Sequence, residues 1–367
     1  MKRVRRHKQC HHSKKEDRLS DLPDCVLLRI LSFLDTKPAI QTYILSKRWK
    51  NIWKCLTDLT LISSNFRNAN GFTEFVSHVF SLRDTLTSLH TLKFDSSEIM
   101  IKPLLLKRMI DYAVSHNVQQ LDISVTCDIE YVPPRLFSCQ TLTFLDLSVY
   151  SPGFYGMRTV FPNSLNLPAL VSLSLRAFTF RVGDDGCAEP FSTLSKLKSL
   201  IINNCLVLSR HNPKLCISST TLVNLTIIMP VYIHDNYDLN FRIELSTPSL
   251  RTFNFRGTPI QKLCGSKSNL SNIKHVNIDV DWWSHTTDTP LVLLQWLVEL
   301  ANIKSLTVTS TTLKVLSLAP NLLKVELLSL YNLKSLRVEK DLRPSLPDGI
   351  VDFLIQNSPL AKVDIID

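Results

Sequence analysis

The chain has 367 residues, of which 44% are hydrophobic, so it is long and apolar enough to bury a sizeable core. Its 42 lysines and arginines exceed its 32 aspartates and glutamates, which gives a net charge of +10. Glycine is scarce: the 8 glycines are about 2% of the chain, against an average near 7%, and leave little material for phosphate-binding loops. Nucleotide chemistry is therefore disfavoured from the start.

The N-terminal segment is the most basic part of the chain. Residues 1–18 contain eight Lys or Arg and two acidic residues, a surplus of six positive charges. Such a block at a terminus predicts a disordered, solvated arm, which we place at residues 1–17. Its two basic clusters, Lys2–Arg6 and Lys14–Lys15, also fit a nuclear import signal, and both interpretations stay open. A nucleic-acid partner is not expected, because the arm lacks Phe, Tyr and Trp to stack on bases.

The composition also bears on the compartment. No apolar run reaches the roughly 18 residues of a membrane-spanning helix, and the N-terminus lacks the apolar core of a secretion signal. Nine cysteines at irregular spacings, with no C-x-x-C pair, fit reduced thiols better than a disulfide framework. Cys10-His11-His12 offers metal ligands, but no second pair completes a tetrahedral set. We expect a protein of the nucleus and/or cytoplasm, with no metal, cofactor or membrane partner.

Residues 21–53 have the apolar spacing of helices. Three stripes with a period near 3.6 residues occur there: Leu27, Ile30, Leu31 and Leu34; Ile40, Ile44 and Leu45; and Trp49, Ile52 and Trp53. Pro23 is placed to open the first helix. Three short helices in 33 residues are too little to bury these large side chains alone. The segment must therefore pack on the rest of the chain, on another protein, or on both.

The rest of the chain is dominated by a repeat of the form apolar-x-x-apolar-x-apolar. Its middle positions are Leu92, Leu121, Leu145, Leu173, Leu200, Leu225, Phe253, Val276, Leu306 and Leu336. They are 23 to 30 residues apart, which is the period of leucine-rich repeats. Each unit is expected to form one short strand and a return segment on the outer side, and neighbouring units bury each other's apolar faces.

Other segments between the strands are predicted as follows. Helical periodicity over residues 72–82, 104–114 and 291–300 predicts outer helices, the last after the start signal Thr289-Pro290. Shorter apolar patterns at Leu313/Leu316/Leu318 and near residues 323–327 predict extra strands with almost no helical return. At the end, a helix containing Ile350, Phe353 and Leu354 and a strand containing Val363 and Ile365 are predicted to cap the repeats.

The helical segment resembles the F-box family. The matching residues are Leu22-Pro23, then Ile30-Leu31-Ser32-x-Leu34, then Leu45-Ser46-Lys47-Arg48-Trp49-x-x-x-Trp53. This order, followed by irregular leucine-rich repeats, is similar to the plant F-box and leucine-rich repeat group, and residues 346–354 resemble the FBD-like sequences that end that group. Cys25, where an acidic residue is common, and Pro38 depart from the pattern without removing an apolar anchor.

The resemblance and the repeat together predict the architecture. The expected fold is an α/β solenoid: a three-helix F-box followed by an irregular leucine-rich repeat horseshoe with a parallel sheet on its concave face. The expected domains are the basic arm at 1–17, the F-box at 18–56, the repeats at 57–345 and a C-terminal cap at 346–367.

The resemblance implies a non-catalytic substrate receptor of a Skp, cullin and F-box ubiquitin ligase. Such a receptor contacts a Skp-family adaptor, and through it cullin and RING subunits, while its repeats recruit a protein substrate. Nine residues are the predicted adaptor contacts, although some are expected to face the segment's own core: Leu22, Pro23, Leu27, Ile30, Leu31, Leu34, Ile44, Leu45 and Trp49. The chain lacks the G-x-S-x-G, P-loop and H-E-x-x-H motifs, so no catalytic residue is predicted.

Substrate-binding candidates lie at strand positions that alternate with the buried ones. Arg176, Arg256 and Arg337 are the best of them, because arginine makes bidentate contacts to carboxylate or phosphate. Asn254, Asp279 and Trp282, which is paired with Trp283, complete the set. The alternative is that these are ordinary solvated or loop-packing residues. Two other functions also stay open: a repeat scaffold without a ligase role, and a small-molecule sensor.

Overall fold

The computed structural model describes residues 21–151, 159–183, 186–208, 214–229, 241–259, 263–265, 270, 272–280, 288–300, 302–320, 322, 327, 330–341 and 349–366. Its α-helices in these ranges are α1 Asp24–Leu31, α2 Thr36–Gln41, α3 Trp49–Ile52, α4 Ala69–Leu82, α5 Pro103–Ser115, α6 Thr289–Glu299, α7 Ser310–Ser317 and α8 Ile350–Gln356. Short 3-10 turns extend α2 and α3, at Thr42–Ile44 and Trp53–Cys55. The predicted basic arm and much of the predicted start of the cap lie outside the described residues.

One large parallel sheet organises the described part of the chain. The strands are β1 Asp58–Ile62, β2 Thr91–Met100, β3 Gln120–Thr126, β4 Phe144–Tyr150, β5 Thr159–Phe161, β6 Ser172–Arg176, β7 Phe178–Arg181, β8 Cys187–Ala188, β9 Ser199–Asn203, β10 Leu206–Leu208, β11 Lys214–Ser218, β12 Asn224–Ile228, β13 Arg242–Ser246, β14 Thr252–Gly257, β15 Cys264–Gly265, β16 His275–Val280, β17 Ser305–Thr309, β18 Ser335–Glu339 and β19 Lys362–Ile366. Twelve of them form the sheet in the order β1-β2-β3-β4-β6-β9-β12-β14-β16-β17-β18-β19. Chain order and spatial order therefore agree, as stacked repeats require.

The repeat pattern sets the register of this sheet. The middle apolar residue of each predicted repeat pairs with the middle residue of the next one, from Leu92 with Leu121 to Leu306 with Leu336. All ten predicted repeat strands are confirmed. Two further strands complete the row, because Leu59 of β1 pairs with Leu92 and Val363 of β19 pairs with Leu336. Strand β1 has the same apolar-x-x-apolar-x-apolar pattern at Leu56, Leu59 and Leu61, but it was not predicted.

The return segments differ along the chain. The three predicted outer helices are confirmed as α4, α5 and α6. Between β4 and β16 the returns include short strands, which form the separate parallel sheets β10-β7-β5 and β15-β13-β11-β8. These small sheets were not predicted. Their strands have only two to five residues, too few to produce a distinctive periodicity.

The prediction of a strand at Leu313/Leu316/Leu318 is wrong. Residues Ser310–Ser317 form α7, and the hydroxyl of Thr309 caps it by accepting a hydrogen bond from the N–H of Thr312. Leu313 and Leu316 are one helical turn apart and both are buried, so the same spacing that suggested a strand serves a helix. The second predicted extra strand, near residues 323–327, lies almost wholly outside the described residues.

The helical segment packs against the first strand of the sheet. The backbone N–H of Thr60 in β1 donates a 2.9 Å hydrogen bond to the hydroxyl of Thr36 in α2. Trp53 and Leu56 are buried in the same core as Leu59. Of the expected packing partners, the rest of the chain is therefore one. Helix α2 also covers an edge strand whose unpaired backbone groups could otherwise pair with another chain.

The cysteines differ from the expectation in one place. Cys187 of β8 and Cys216 of β11 form a disulfide, with Cα atoms 6.2 Å apart. The two small strands are neighbours in their sheet, which brings the side chains within bonding range although they are 29 residues apart in sequence. Cys127, Cys139 and Cys205 are buried and form no disulfide, while Cys25 and Cys55 are exposed. Within the described ranges no helix has the length and apolar character to cross a membrane.

Candidate binding surfaces

Helix α1 divides the predicted adaptor residues between two faces. Leu31 is 0% exposed and Leu27 is equally buried, because both point into the core formed with α3 and the following turn. Ile30, next to Leu31, is 37% exposed, and Leu34 beyond the helix is also accessible. Val26 and Ile30 are four residues apart, so they share the outward face of α1, and Phe33 is exposed in the turn directly after the helix.

A second group of exposed apolar side chains follows α2. Ile44 is 74% exposed and Leu45 is 55% exposed, in the turn that leads from α2 towards α3. Tyr43 beside them is also exposed. Seven exposed apolar or aromatic side chains thus occur within twenty residues of chain, and we call them the helical surface: Val26, Ile30, Phe33, Leu34, Tyr43, Ile44 and Leu45.

Three of the nine predicted adaptor contacts are buried in this structure, as was expected of some of them. Leu27, Leu31 and Trp49 belong to the protein's own core, so in this structure they support the helical surface and are not part of it. Leu22 is half-buried against that core and Pro23 is exposed at the start of α1. Val26, Phe33 and Tyr43 were not predicted, although the spacing of the first two relative to Ile30 would have indicated them.

Polar contacts hold the helical surface in place. The guanidinium of Arg48 pairs with the carboxylate of Asp24, which links the start of α3 to the start of α1. The guanidinium of Arg29 lies 4.7 Å from the ring centroid of Phe33, a cation–π contact that orients the exposed ring. The indole N–H of Trp49 is buried and has no acceptor among the described residues.

The exposed face of the large sheet brings three of the predicted substrate residues together. Asn254 and Arg256 are two positions apart on β14, and Asp279 pairs directly with Arg256 from β16. The guanidinium Nε of Arg256 is 3.3 Å from the carboxylate Oδ2 of Asp279. Asn254 donates a 3.1 Å hydrogen bond to the hydroxyl of Thr226 on β12. The three side chains form one polar cluster that spans neighbouring strands.

The other predicted substrate residues lie apart from that cluster. Arg176 occupies the same row as Arg256 but three strands away, about 14 Å at the usual strand spacing. Arg337 occupies the row of Asn254, three strands away on the other side. Trp282, with Trp283, lies outside the described residues. The arginines therefore form a spaced series across the sheet face, not a single pocket.

A row of charges crosses the first repeats on the same face. Lys93 of β2 lies 3.3 Å from the carboxylate of Asp122 on β3, and Asp146 of β4 follows in register. Partial burial, and then the neighbouring carboxylate of Asp122, raise the pKa of Asp146 above its usual range. No group of three or more His, Cys, Asp or Glu side chains suited to a metal ion occurs in the described part of the chain. Cys10-His11-His12 lies outside it.

Comparisons with known proteins show what the chain is similar to. Residues 19–58 match the F-box domain. The matched residues run from the helical segment to the start of β1, ahead of the large parallel sheet. F-box domains generally bind Skp1-type adaptors. Proteins with an F-box and leucine-rich repeats are generally non-catalytic substrate adaptors, and no enzyme family is indicated.

Three curated relatives from Arabidopsis thaliana show similarity to this chain. A putative FBD-associated F-box protein is 33% identical over 171 residues, which are 45% of this chain and 35% of that protein. An F-box/FBD/LRR-repeat protein is 28% identical over 350 residues, 89% of this chain and 72% of that protein. An F-box/LRR-repeat protein is 25% identical over 361 residues, 94% of this chain and 89% of that protein. The predicted resemblance to plant F-box and leucine-rich repeat proteins is confirmed.

Proposed function

We propose that this chain is the substrate-recognition subunit of a Skp-cullin-F-box ubiquitin ligase. The helical surface binds a Skp-family adaptor, and through it the cullin and RING subunits, while the repeats recruit a protein substrate. The observation that carries the proposal is the exposure of the helical surface, because a group of large apolar side chains left in water normally marks a protein interface. Its position inside the F-box match supports an adaptor as the partner.

Such a receptor needs no catalytic residue of its own. It raises the effective concentration of the substrate beside a separate conjugating enzyme, and it does this best when the two binding surfaces are rigidly connected. The contact of Thr36 with Thr60 and the shared core of Trp53, Leu56 and Leu59 support that connection. The curvature of the repeats into a horseshoe is part of the proposal and places the sheet face on the concave side.

A pull-down with a purified Skp-family adaptor tests the proposal. The variant Ile44→Glu/Leu45→Glu charges two residues of the helical surface that already lie in water, so the fold is expected to survive. A matched control, Leu86→Glu/Leu104→Glu, charges two well exposed leucines of the first repeats. We expect the wild type and the control to retain the adaptor and the first variant to lose it, with circular dichroism unchanged in all three.

The alternative of a repeat scaffold without a ligase role has a different outcome. In that case the folded wild type fails to retain any Skp-family adaptor, and charging Ile44 and Leu45 changes no binding. That result would overturn the proposed function. Equal retention of the adaptor by wild type and the Ile44/Leu45 variant would overturn the assignment of the helical surface.

We also propose that the protein acts in the nucleus and/or cytoplasm. The support is the charge of the N-terminal arm, whose two basic clusters fit an import signal. A fluorescent fusion of the full chain is expected to enter the nucleus, and replacing the basic residues of 1–18 by glutamine is expected to shift it to the cytoplasm. Unchanged distribution would leave the arm as a solvated tail.

A further inference from the structure

A large cavity lies at the edge of the sheet where the central strands begin. Its volume is about 960 Å³, and basic side chains from four repeats line it. We call these the basic ladder: Lys198, Arg251, Lys274 and Lys304. None of the described residues that line the cavity is acidic. The surface is distinct from the sheet face, on which the substrate candidates Arg256 and Asn254 lie.

The repeat itself builds the ladder. Each basic residue stands two positions before the middle apolar residue of its strand, that is, before Leu200, Phe253, Val276 and Leu306. The equivalent position before β12 is Val223, which also lines the cavity. Since successive strands are about 4.8 Å apart, the ladder extends over four strand intervals, about 19 Å from Lys198 to Lys304.

The backbone of the ladder is fixed by hydrogen bonds. The carbonyl of Arg251 accepts from the N–H groups of Lys274 and His275, at 2.8 and 3.0 Å. The carbonyl of Lys274 accepts in the same way from Lys304 and Ser305, at 2.8 and 3.0 Å. The backbone positions of Arg251, Lys274 and Lys304 are therefore set before any partner arrives, which lowers the backbone entropy lost on binding.

Side chains in the floor of the cavity are held in the same manner. The hydroxyl of Ser249 donates a 2.6 Å hydrogen bond to the carbonyl of Thr220, and the amide of Asn272 donates to the carbonyl of Pro248 at 2.8 Å. Lys198, Arg251 and Lys304 form no ion pair with any described residue. Their charges are available to a ligand.

We propose that this cavity binds an extended acidic segment of a partner protein, rich in aspartate or glutamate. Lys198, Arg251 and Lys304, which have no carboxylate partner among the described residues, complement such a segment. About six extended residues at ~3.3 Å each span the ladder. A single-stranded nucleic acid fits less well, because the described lining has no Phe, Tyr or Trp on which bases stack. The inference rests on the proposed function and deepens it by naming a chemical class for the recruited segment.

Fluorescence anisotropy with the full chain and a labelled hexaglutamate peptide tests this site. The variant Lys198→Glu/Arg251→Glu/Lys304→Glu reverses three ladder charges. A matched control, Lys102→Glu/Lys107→Glu/Arg108→Glu, makes the same net charge change at exposed positions in and beside α5. We expect the ladder variant to bind roughly tenfold more weakly than wild type, the control to stay within about threefold, and hexaglutamine not to bind.

Three results would overturn the proposal. The first is that the wild type binds hexaglutamate no better than hexaglutamine. The second is that both triple variants lose the same affinity, as general attraction to a basic protein would produce. A six-nucleotide oligothymidylate that binds more tightly and displaces the peptide would instead assign the cavity to nucleic acid. Retention of the Skp-family adaptor by the ladder variant separates this test from that of the proposed function, because the helical surface is unchanged.

Discussion

The guanidinium of Arg83 donates two hydrogen bonds, 3.0 and 2.7 Å long, to the carbonyl oxygen of Leu56. Leu56 stands between the helical segment and β1, while Arg83 ends α4 in the first repeat. The same guanidinium donates to the carbonyls of Thr87 and Ser88 and to the hydroxyl of Tyr112. One side chain thus connects the helical segment, the first return loop and α5.

Replacing Arg83 by methionine is expected to destabilise the protein. Arg83 is 3% exposed, and its removal leaves the buried carbonyl of Leu56 without its donor. The partly buried hydrogen bonds to the carbonyls of Thr87 and Ser88 are lost as well. Each such group costs about 1–3 kcal/mol, and we expect a loss of about 3–5 kcal/mol in the free energy of unfolding. Urea denaturation measures this loss, and Arg108→Met, at an exposed position of α5, is the control. A loss below about 1 kcal/mol would contradict the connecting role.

Neighbouring residues of α1 provide a second prediction. Leu31→Glu places a charge in the core and is expected to abolish folding at 25 °C, since an unpaired buried charge costs several kcal/mol. Ile30→Glu lies on the outward face and is expected to keep the fold while losing the adaptor. Circular dichroism and the pull-down read the two effects separately. A folded Leu31→Glu protein would show that the burial of this leucine does not support the segment.

The pH dependence of stability is expected to carry a contribution from Asp146. Its folded pKa is raised, by burial first and by Asp122 second, above the value of about 3.9 of an unfolded chain. The folded state therefore binds more protons between the two values, and this group's contribution to stability falls as the pH rises through that interval. The advantage of Asp146→Asn over wild type in urea midpoint should grow from pH 3.5 to pH 7. If the difference in urea midpoint between Asp146→Asn and wild type stays constant or shrinks as the pH rises, the predicted direction of the pH dependence is wrong.

Particular residues show what the sequence could and could not predict. Leu145 and its equivalents recur at the repeat period and point inward on every strand, so the large sheet and its register followed from periodicity. The spacing of Leu313 and Leu316 is compatible with a helix and with a strand. The hydroxyl of Thr309, which caps the N-terminus of α7, favours the helix. The disulfide partner of Cys187 depends on two strands that meet only through the fold.

The sequence predicted the candidate binding surfaces less completely than it predicted the large sheet. Within α1 the apolar pattern places Leu27, Ile30 and Leu31 in one stripe, but only packing shows that Ile30 faces outward. The sheet face followed from alternation, and the cluster of Asn254, Arg256 and Asp279 followed from register. Recognising the basic ladder required both the strand register and the shape of the sheet edge, which only the structure provides. Once the strands are known, the residues two positions before each middle apolar residue can be compared, and this comparison would have revealed the basic ladder.

Cys127 is expected to be far less reactive than the exposed cysteines. Burial, and then the adjacent carboxylate of Asp128, raise the pKa of the Cys127 thiol to about 11. Only the thiolate is alkylated, so at pH 8 about one thiol in a thousand is in the reactive form. Iodoacetamide followed by peptide mass mapping should label Cys25 and Cys55 within minutes while Cys127 stays unmodified, and in urea all three should react alike. Equal rates in the folded protein would mean that the end of β3 opens readily to water.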